Sequence, residues 1–335
     1  MEKPLLSPLL SIKDLRVSFR IDGQYYNAVD HVSLDVMPNE VFAIVGESGS
    51  GKSALALSIP RLHNMNYTRL HGNIFYDEKD LLVLRENQLN QIRGAHISMI
   101  FQDPLTSLNP LIKVGPQIEE SLTYHTSMGK AEKKARALLL LDQVGIKNPP
   151  ITYGSFPHEL SGGMRQRAVI AVALACKPSL IIADEPTTAL DVTIQAQILD
   201  LLRSLQKETK SSIILITHDL GVVAEMADRV AVMYAGQIVE IAPALKLFKE
   251  PHHPYTRSLL ASIPHGDTVS KRLNAIKGIV PSLKYIPRTG CRFSHRTPWI
   301  PAERHQEEPK YHQVGQDHMV LCTCYKDFFF EEVRS

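Results

Sequence analysis

Alternating apolar and polar positions predict strands near the start of the chain. The alternation at residues 15–20 and again at 32–36 is typical of half-buried strands, and Asp22-Gly23 between them is a turn signal. A further strand followed by a turn is predicted at residues 72–80. Together these segments predict an antiparallel sheet beside the rest of the fold.

Other apolar runs are continuous and end in polar residues. They occupy residues 41–45, 97–101, 180–183 and 213–216. The last two suit central strands of a parallel sheet, because such strands are buried on both faces. Segments with helical spacing lie between the runs, as at residues 130–144, where Ala135, Leu138, Leu139 and Leu141 are predicted to share one side. The alternation predicts an α/β fold with a parallel sheet and a helical subdomain at about 103–180.

The last part of the chain has a different pattern. Prolines recur after Phe248, and a short helix is predicted at residues 255–263, followed by irregular chain. We therefore expect one domain over residues 1–250 and a C-terminal tail over 251–335.

The composition is that of a globular protein with room for two domains. The 335 residues are 44% hydrophobic and 21% charged, and the net charge is only +2. That balance argues against a dedicated nucleic-acid binder, so no nucleic-acid partner is expected. No apolar run reaches the roughly 18–20 residues that span a bilayer. With no secretory signal pattern at the start, the chain is expected to be cytosolic and to reach a membrane through a partner.

A glycine-rich turn between an apolar run and a predicted helix is the strongest chemical signal. The turn has the spacing of a phosphate-binding loop, with backbone N–H groups and a helix N-terminus directed at the anion. Lys52 is predicted to reach the β- and γ-phosphates, and the Ser53 hydroxyl to ligate Mg²⁺. The alternative is a turn that binds nothing. The predicted nucleotide-contacting residues are Gly46, Ser48, Gly49, Ser50, Gly51, Lys52 and Ser53.

Two further motifs carry candidate chemistry. Asp184 and Glu185 end an apolar run, where Asp184 is predicted to hold Mg²⁺ and Glu185 to act as general base toward water. The alternative for this pair is a helix N-cap with a dipole-favoured neighbour. Ser161, Gly162 and Gly163 precede a helix predicted at 164–176 and form a second anion site. One nucleotide does not need two such sites, so we assign the second to the nucleotide of another subunit.

The order of these motifs resembles the nucleotide-binding subunits of ABC transporters. The phosphate loop is followed by Gln102, Leu160-Ser-Gly-Gly, Asp184-Glu185, Ala189-Leu190-Asp191 and His218. The resemblance implies a P-loop ABC ATPase core with parallel sheet, antiparallel β-subdomain and helical subdomain. It also implies that two subunits clamp two ATP molecules head to tail.

The same resemblance assigns roles to individual residues. Gln102, Glu185 and His218 would serve catalysis, with Gln102 also in the Mg²⁺ shell beside Ser53 and Asp184. Ser161, Gly162 and Gly163 would contact the partner's nucleotide, and Asp191 would couple the two sites. Phe19 matches the family's adenine-stacking position. A core role for Phe19 is the alternative, and Tyr25 and Tyr26 compete for the stacking role.

Longer segments at 100–110, 183–193 and 254–260 resemble the oligopeptide and dipeptide importer branch, in particular its D-type ATPases. This implies a heterodimer with a homologous F-type ATPase, two transmembrane permease subunits, an extracellular peptide-binding protein and a position on the cytoplasmic face of the membrane. Nickel importers share the branch, so an importer of nickel or another small solute is the alternative. A soluble ABC ATPase of DNA repair or translation, testable by nucleic-acid binding in low salt, and a non-hydrolytic scaffold are further rivals.

The tail departs from this branch in its cysteines. Many members carry four tail cysteines that hold a [4Fe-4S] cluster; here Cys291 matches the first and Cys322 the last, while Thr297 and about Arg304 stand where the others fall. Cys324, His295 and His305 are the available substitutes. We expect little or no bound iron, and we expect Cys176 to be a buried small side chain.

Overall fold

The structure is a computed structural model that describes residues 7–188, 191–262, 276, 278–301, 303, 305, 308–322 and 324. In chain order the strands are β1 (Leu10–Ile21), β2 (Gln24–Val36), β3 (Val41–Val45), β4 (Thr68–Tyr76), β5 (Lys79–Asp80), β6 (Ile97–Ile100), β7 (Leu180–Asp184), β8 (Ser212–Thr217), β9 (Arg229–Tyr234), β10 (Gln237–Pro243), β11 (Tyr311–Gly315) and β12 (His318–Leu321). The helices are α1 (Lys52–Ser58), α2 (Glu86–Ile92), α3 (Pro104–Ser107), α4 (Val114–His125), α5 (Lys130–Gln143), α6 (Pro149–Gly154), α7 (Gly162–Ala173), α8 (Val192–Thr209), α9 (Leu220–Met226), α10 (Ala244–Lys249) and α11 (Pro254–Ala261). The fold is α/β, as predicted.

The chain forms two compact units. The helical unit comprises the described residues of Met1–Leu9, Val36–Val41 and Val83–Ile216. The loop unit comprises the described residues of Leu10–Asp35, Phe42–Leu82 and Thr217–Ser335. The C-terminal region therefore shares a unit with the predicted phosphate loop. The predicted domain boundary at residue 250 stays a prediction.

An antiparallel sheet in the loop unit has the strand order β2-β1-β4-β5. β1 and β4 pair from Leu10 opposite Tyr76 to Phe19 opposite Thr68. In β1, Leu15 and Val17 are buried on one face, as the alternation predicts. The antiparallel sheet expected from the sequence is therefore present.

A second group of strands in the loop unit is built on β3. β3 pairs in parallel with β9, from Phe42 opposite Arg229 to Val45 opposite Val232. β10 continues antiparallel to β9, and β12 and β11 follow as antiparallel strands. Every residue of β3 is buried, which explains its continuous apolar sequence.

The hairpin of β11 and β12 lies in a segment that was expected to be irregular. Its sequence is polar, but contacts with β10 hold the hairpin in place. The Tyr311 hydroxyl donates to the Ile238 carbonyl at 2.7 Å. Where β12 pairs with β10, His318 Nε2 lies 2.7 Å from Glu240 Oε1, and Val320 is buried. The expectation of irregular chain is therefore corrected at residues 311–321, because tertiary pairing overrides a weak local pattern.

The helical unit contains the parallel strands β6, β7 and β8, with β7 in the middle. Helices α4 to α7 supply the predicted helical subdomain. In α5 the buried residues are Ala137, Leu140 and Leu141, whereas Leu139 is 50% exposed. The predicted apolar side was therefore wrong by about one residue, because Ala137 and Leu141 are one turn apart and define the face that packs.

No helix among the residues described is both long enough and apolar enough to pass through a bilayer.

Buried polar groups fix the start of α11 against β10. Glu240 is fully buried, and its carboxylate accepts the backbone N–H groups of His252 and His253 at 2.8 and 2.9 Å. Burial raises the pKa of Glu240, but hydrogen bonds from His318 and from these two N–H groups outweigh it, and the pKa falls below its usual value. His253 caps α11, with Nδ1 accepting from the Tyr255 N–H at 3.0 Å. Burial lowers the pKa of His253 to about 4.

This histidine makes stability pH-dependent. In the unfolded chain His253 binds a proton near pH 6.5, whereas in the folded chain the same side chain stays neutral down to about pH 4. The free energy of unfolding therefore falls as the pH drops from 6.5 to 4. We expect protonation of His253 in the unfolded chain to lower the free energy of unfolding by about 2 kcal/mol between pH 7 and pH 5. His253→Asn keeps a capping acceptor and cannot titrate there. Urea unfolding of both proteins at the two pH values measures the effect, and an equal pH dependence in the variant contradicts it.

Candidate functional site

The glycine-rich turn runs from the end of β3 to the start of α1, and two of its glycines admit no side chain. A Cβ on Gly46 would lie 2.2 Å from the Met233 carbonyl oxygen, and one on Gly51 would lie 2.4 Å from that of Ala28. Gly51 also has a φ of 107°, in the left-handed region that favours glycine. The backbone of this turn is therefore packed directly on neighbouring strands.

The polar side chains of the turn fit a phosphate group. Lys52 is 5% exposed, and its Nζ donates to the carbonyl oxygens of Gly46 and Glu47 at 2.8 and 3.1 Å. The buried Ser50 Oγ has no hydrogen-bond partner among the described residues, which leaves it available to a ligand. Ser48, Gly49 and Ser53 are exposed. A cation, an unsatisfied hydroxyl and a helix N-terminus thus converge on one turn.

Two C-terminal residues hold Glu47 in this turn. The Glu47 N–H donates to the Tyr255 hydroxyl oxygen at 2.8 Å. The Arg296 guanidinium donates to both carboxylate oxygens of Glu47, at 2.6 and 3.2 Å. These contacts were not predicted from the sequence, because residues 208 and 249 positions apart carry no local signal of their proximity.

In the helical unit, the structure brings Gln102 and Glu185 together. β6 and β7 are parallel with Ile100 opposite Ala183. Gln102 and Glu185 each lie two residues beyond this pair, so they follow their strands side by side. Gln102 Nε2 donates to Glu185 Oε2 at 3.0 Å. Thr188 Oγ1, which the sequence analysis did not single out, donates to the same oxygen at 2.8 Å. The carboxylate is therefore held in one orientation by two donors.

The backbone at Glu185 is unusual for a residue with a side chain. Its φ is 46°, in the left-handed region that costs a non-glycine residue roughly 1–2 kcal/mol. Its N–H donates to the Ile216 carbonyl at 2.9 Å, which holds the turn on β8. Asp184, the last residue of β7, is 5% exposed. Among the described residues no helix begins at Glu185, and residues 186–188 form a turn, so the N-cap alternative does not describe it.

Ser161, Gly162 and Gly163 form the N-terminus of α7. Ser161 is the N-cap and accepts from the Met164 N–H at 3.4 Å. The helix begins at Gly162, two residues before the predicted start, because the cap stabilises two glycines that have low helix propensity. Gly163 faces α8, where a Cβ would lie 3.0 Å from Ile194. Ser161 and Gly162 are exposed at this N-terminus.

Asp191 caps α8, accepting from the Ile194 N–H at 2.9 Å. The preceding Ala189 and Leu190 lie outside the described residues. In the loop unit, His218 is exposed directly after β8 and precedes Asp219, the N-cap of α9. The predicted roles of Asp191 and His218 stay predictions.

The three candidates for adenine stacking have different surroundings. Phe19 is half-buried and lies edge-on to His63, with ring centroids 5.4 Å apart. The Arg69 guanidinium stacks over the Tyr25 ring at 3.8 Å, and Tyr26 donates its hydroxyl to Gln24 at 3.0 Å. The choice among them stays open.

One of the C-terminal cysteines, Cys324, lies close to a histidine. Cys322 and Cys324 are each 2% exposed, and Cys324 Sγ is 3.5 Å from His305 Nδ1. Burial raises the pKa of the Cys291 thiol, which disfavours the thiolate form that binds metals. In the described residues no group of three or more His, Cys, Asp or Glu side chains is arranged to hold a metal. Arg304 lies outside these residues, and Cys176 is half-buried.

The fold and these sites define an ATP-binding cassette. The family model described as "ABC transporter" matches residues 29–188, and a second model, "Oligopeptide/dipeptide transporter, C-terminal region", matches residues 239–299. A dimeric ATP-binding cassette solved in a post-hydrolysis state with ADP and phosphate bound is 28% identical. It has a TM-score of 0.64 and covers 70% of this chain and 98% of its own. The chain belongs to the ABC transporter family and is an ATP hydrolase of that family.

Its similarity to one branch of the family extends over nearly the whole chain. An "Oligopeptide transport ATP-binding protein OppD" from Lactococcus lactis subsp. cremoris is 50% identical over 97% of this chain and 97% of its own length. An "Oligopeptide transport ATP-binding protein AppD" from Bacillus subtilis is 48% identical over 96% and 98%. The resemblance to ATP-binding subunits of this branch is thereby confirmed.

Proposed function

We propose that this chain is the ATP-hydrolysing subunit of an ABC importer for oligopeptides or dipeptides. The observation that carries the proposal is the 50% identity over 97% of both chains to a protein named for oligopeptide transport. The match to the C-terminal region model at residues 239–299 supports it, because that region lies outside the general ABC match.

The phosphate loop binds the nucleotide in this proposal. Lys52 interacts with the β- and γ-phosphates, and the Ser50 hydroxyl and the backbone N–H groups of the loop donate to phosphate oxygens. Mg²⁺, when bound, would supply charge that offsets the phosphate groups. Ser53, Asp184 and Gln102 would hold it through hydroxyl, carboxylate and amide oxygens, the hard donors that Mg²⁺ prefers.

Glu185 acts as general base in hydrolysis. The water oxygen bonds to the γ-phosphorus as the bond to the bridging oxygen breaks, ADP leaves, and Glu185 accepts the water proton. The donors Gln102 and Thr188 support this role by holding the Glu185 carboxylate in one orientation. The left-handed φ of Glu185 supports it too, because such strain concentrates at active sites. His218 contacts the γ-phosphate.

Ser161, Gly162 and Gly163 bind the nucleotide of a second ATPase subunit. An exposed helix N-terminus with a serine cap is an anion site, and the phosphate loop already serves the chain's own nucleotide. ATP binding therefore closes a dimer of two ATPase subunits, and hydrolysis reopens it. Asp191 couples the two sites.

A Ser161→Arg substitution tests this division of labour. We expect ATP binding by the single chain to stay within about twofold and steady-state hydrolysis by the assembled dimer to fall at least tenfold, because the larger side chain fills the position of the partner's phosphates. Leu139→Arg, at an exposed position of α5, is the matched control and leaves both quantities unchanged. Titration and ATPase assays on the same preparations measure both. Loss of ATP binding by the single Ser161→Arg chain would mean that Ser161 serves its own nucleotide.

The partners proposed are a homologous F-type ATPase, two transmembrane permease subunits and an extracellular peptide-binding protein, with this chain on the cytoplasmic face of the membrane. Leu105, within the short helix α3, and Leu111, after it, are exposed and support a contact with a permease at this surface.

Reconstitution tests the cargo. The assembled transporter in proteoliposomes, given its binding protein and a labelled tetrapeptide, is expected to take up peptide and to raise its ATP hydrolysis when peptide is present. Nickel in place of peptide is the comparison. Stimulation by nickel with no response to peptide would overturn the peptide assignment and favour the small-solute alternative.

A further inference from the structure

Among the described residues, the C-terminal region holds the phosphate loop at Glu47. Both of its outward-facing groups are engaged: the N–H by the Tyr255 hydroxyl at 2.8 Å, and the carboxylate by the Arg296 guanidinium at 2.6 and 3.2 Å. A guanidinium group that donates from two nitrogens to two carboxylate oxygens fixes the orientation of the carboxylate as well as its distance. The contact is therefore able to set how the Glu47 peptide is oriented.

Arg296 is itself firmly fixed. Its side chain is 1% exposed, against 29% for Glu47. One of its nitrogens also donates to the carbonyl oxygens of Ile276 and Gly278, at 3.3 and 3.1 Å. The rings of Tyr234 and Phe293 lie 5.8 and 5.7 Å from the guanidinium carbon. A buried arginine with this many partners holds one position, so the less buried Glu47 adapts to it.

The backbone of Glu47 also helps to hold the Lys52 side chain in place. Its carbonyl oxygen accepts from Lys52 Nζ at 3.1 Å and from the Ser50 N–H at 3.2 Å. Tyr255 and Arg296 thus act on one end of Glu47, and the phosphate-binding groups lie at the other. The Glu47 N–H shares its peptide group with the Gly46 carbonyl, which also accepts from Lys52 Nζ, at 2.8 Å, and the Glu47 carbonyl belongs to the next peptide group. A change in the backbone at Glu47 would therefore move both the ammonium group and the turn that carries Ser50.

We infer that Arg296, with Tyr255, is a positioning residue that holds the phosphate loop in its nucleotide-binding conformation through Glu47. The C-terminal region thereby contributes to ATP affinity without touching the nucleotide. This inference rests on the proposed role of Lys52 in binding phosphate.

Other polar contacts already fasten the C-terminal region to the loop unit, so attachment alone does not require Arg296. Arg292 forms a buried pair with Asp30 and donates to the Ala235 carbonyl at 2.6 Å. Lys284 forms an exposed pair with Asp22. Among the described residues, the hydrogen bonds of Arg292 and Lys284 go to groups outside the phosphate loop, whereas Arg296 binds Glu47, one of the two loop residues whose carbonyl groups accept from Lys52.

The experiment compares Arg296→Gln and Tyr255→Phe with the unaltered full-length chain. We expect ATP to bind about tenfold more weakly to Arg296→Gln and several-fold more weakly to Tyr255→Phe, which removes a single oxygen and preserves the buried ring. In the assembled transporter, KM for ATP rises by the same factors while kcat stays within about twofold, because the groups that act on the attacking water lie elsewhere.

Lys284→Gln is the matched control, since it removes another basic residue of the C-terminal region that is paired with an acidic one. It is expected to leave ATP affinity unchanged. The second comparison uses Glu47→Ala: in that background Arg296→Gln has no further effect on ATP affinity, because the group through which it acts is gone.

Each outcome decides between positioning and attachment. Equal weakening by Arg296→Gln with and without Glu47→Ala, or unchanged affinity in both Arg296→Gln and Tyr255→Phe, overturns the inference. Lys52→Ala is run in the same titrations to separate the two proposals. If Lys52→Ala weakens binding and the positioning variants do not, the inference alone fails; if Lys52→Ala has no effect, the assignment of the loop fails and the inference fails with it.

Discussion

Replacing Lys52 by alanine is expected to weaken ATP binding about a hundredfold. The side chain is buried, and its ammonium group already faces the carbonyl groups of the turn at Gly46 and Glu47. A hydrogen bond from a charged donor is worth about 1.5–3 kcal/mol, and 1.4 kcal/mol is a factor of ten in affinity. Two negative phosphates depend on this one cation in the proposed site, so the upper end of that range applies.

The measurement is ATP titration of the folded variant at constant ionic strength. Lys79→Ala removes an exposed lysine of β5 in the same unit and is expected to leave the affinity unchanged. Far-ultraviolet circular dichroism on both variants confirms folding. An unchanged affinity in folded Lys52→Ala would contradict the assignment of the glycine-rich turn as the phosphate site.

The sequence predicted those parts of the site that are local in the chain. The turn from Gly46 to Ser53 needs glycines at fixed offsets between a strand and a helix, and each requirement is visible in a few consecutive residues. The continuous apolar sequence of β7 likewise predicted a buried strand that ends at Asp184. Such features survive without tertiary information, because backbone sterics and burial produce them directly.

The contact between Gln102 and Glu185 could not be predicted from the spacing of residues in the sequence. Each residue follows a predicted strand, but the register between β6 and β7 is set by pairing between strands that lie 83 residues apart in the chain. The resemblance to a family placed both in one site, and only the register gives the 3.0 Å contact. The left-handed backbone of Glu185 had no sequence signal, since glycine or asparagine is the usual residue there.

The C-terminal region was the least predictable part. Arg292 and Arg296 are charged residues in a proline-rich stretch, which predicts exposure, yet they are 5% and 3% exposed. Their burial depends on acceptors contributed by Asp30 and Glu47, more than 240 residues earlier. A sequence pattern carries no information about such partners, because a charge is buried only where a distant residue satisfies it.

Replacing Glu185 by glutamine is expected to have the largest effect on turnover. The amide keeps the size of the side chain and retains an oxygen that can accept from Gln102 and Thr188, so the local geometry is preserved. It removes the group that accepts the water proton. Loss of a positioned general base costs on the order of 10²–10⁴-fold in rate, while Asp184 and the phosphate loop are untouched and ATP still binds.

Binding without hydrolysis is expected to trap the closed dimer. Each nucleotide then lies between Lys52 of one subunit and the Ser161 segment of the other, and no product forms to release them. The variant should therefore give an ATP-dependent, long-lived complex in size-exclusion chromatography, with transport stopped. Glu208→Gln makes the same chemical change at an exposed position of α8 and should dissociate like the unaltered protein.

The decisive measurement is single-turnover hydrolysis at this chain's site in the assembled transporter. An intact site on the partner ATPase would sustain some residual hydrolysis, so the nucleotide bound to this chain must be followed separately by radiolabelled ATP loaded below one equivalent. A rate reduced at least a hundredfold with unchanged ATP affinity assigns proton transfer to Glu185. A rate equal to that of the unaltered protein would remove Glu185 from the mechanism, and its hydrogen bonds to Gln102 and Thr188 would then serve only to hold the turn after β7.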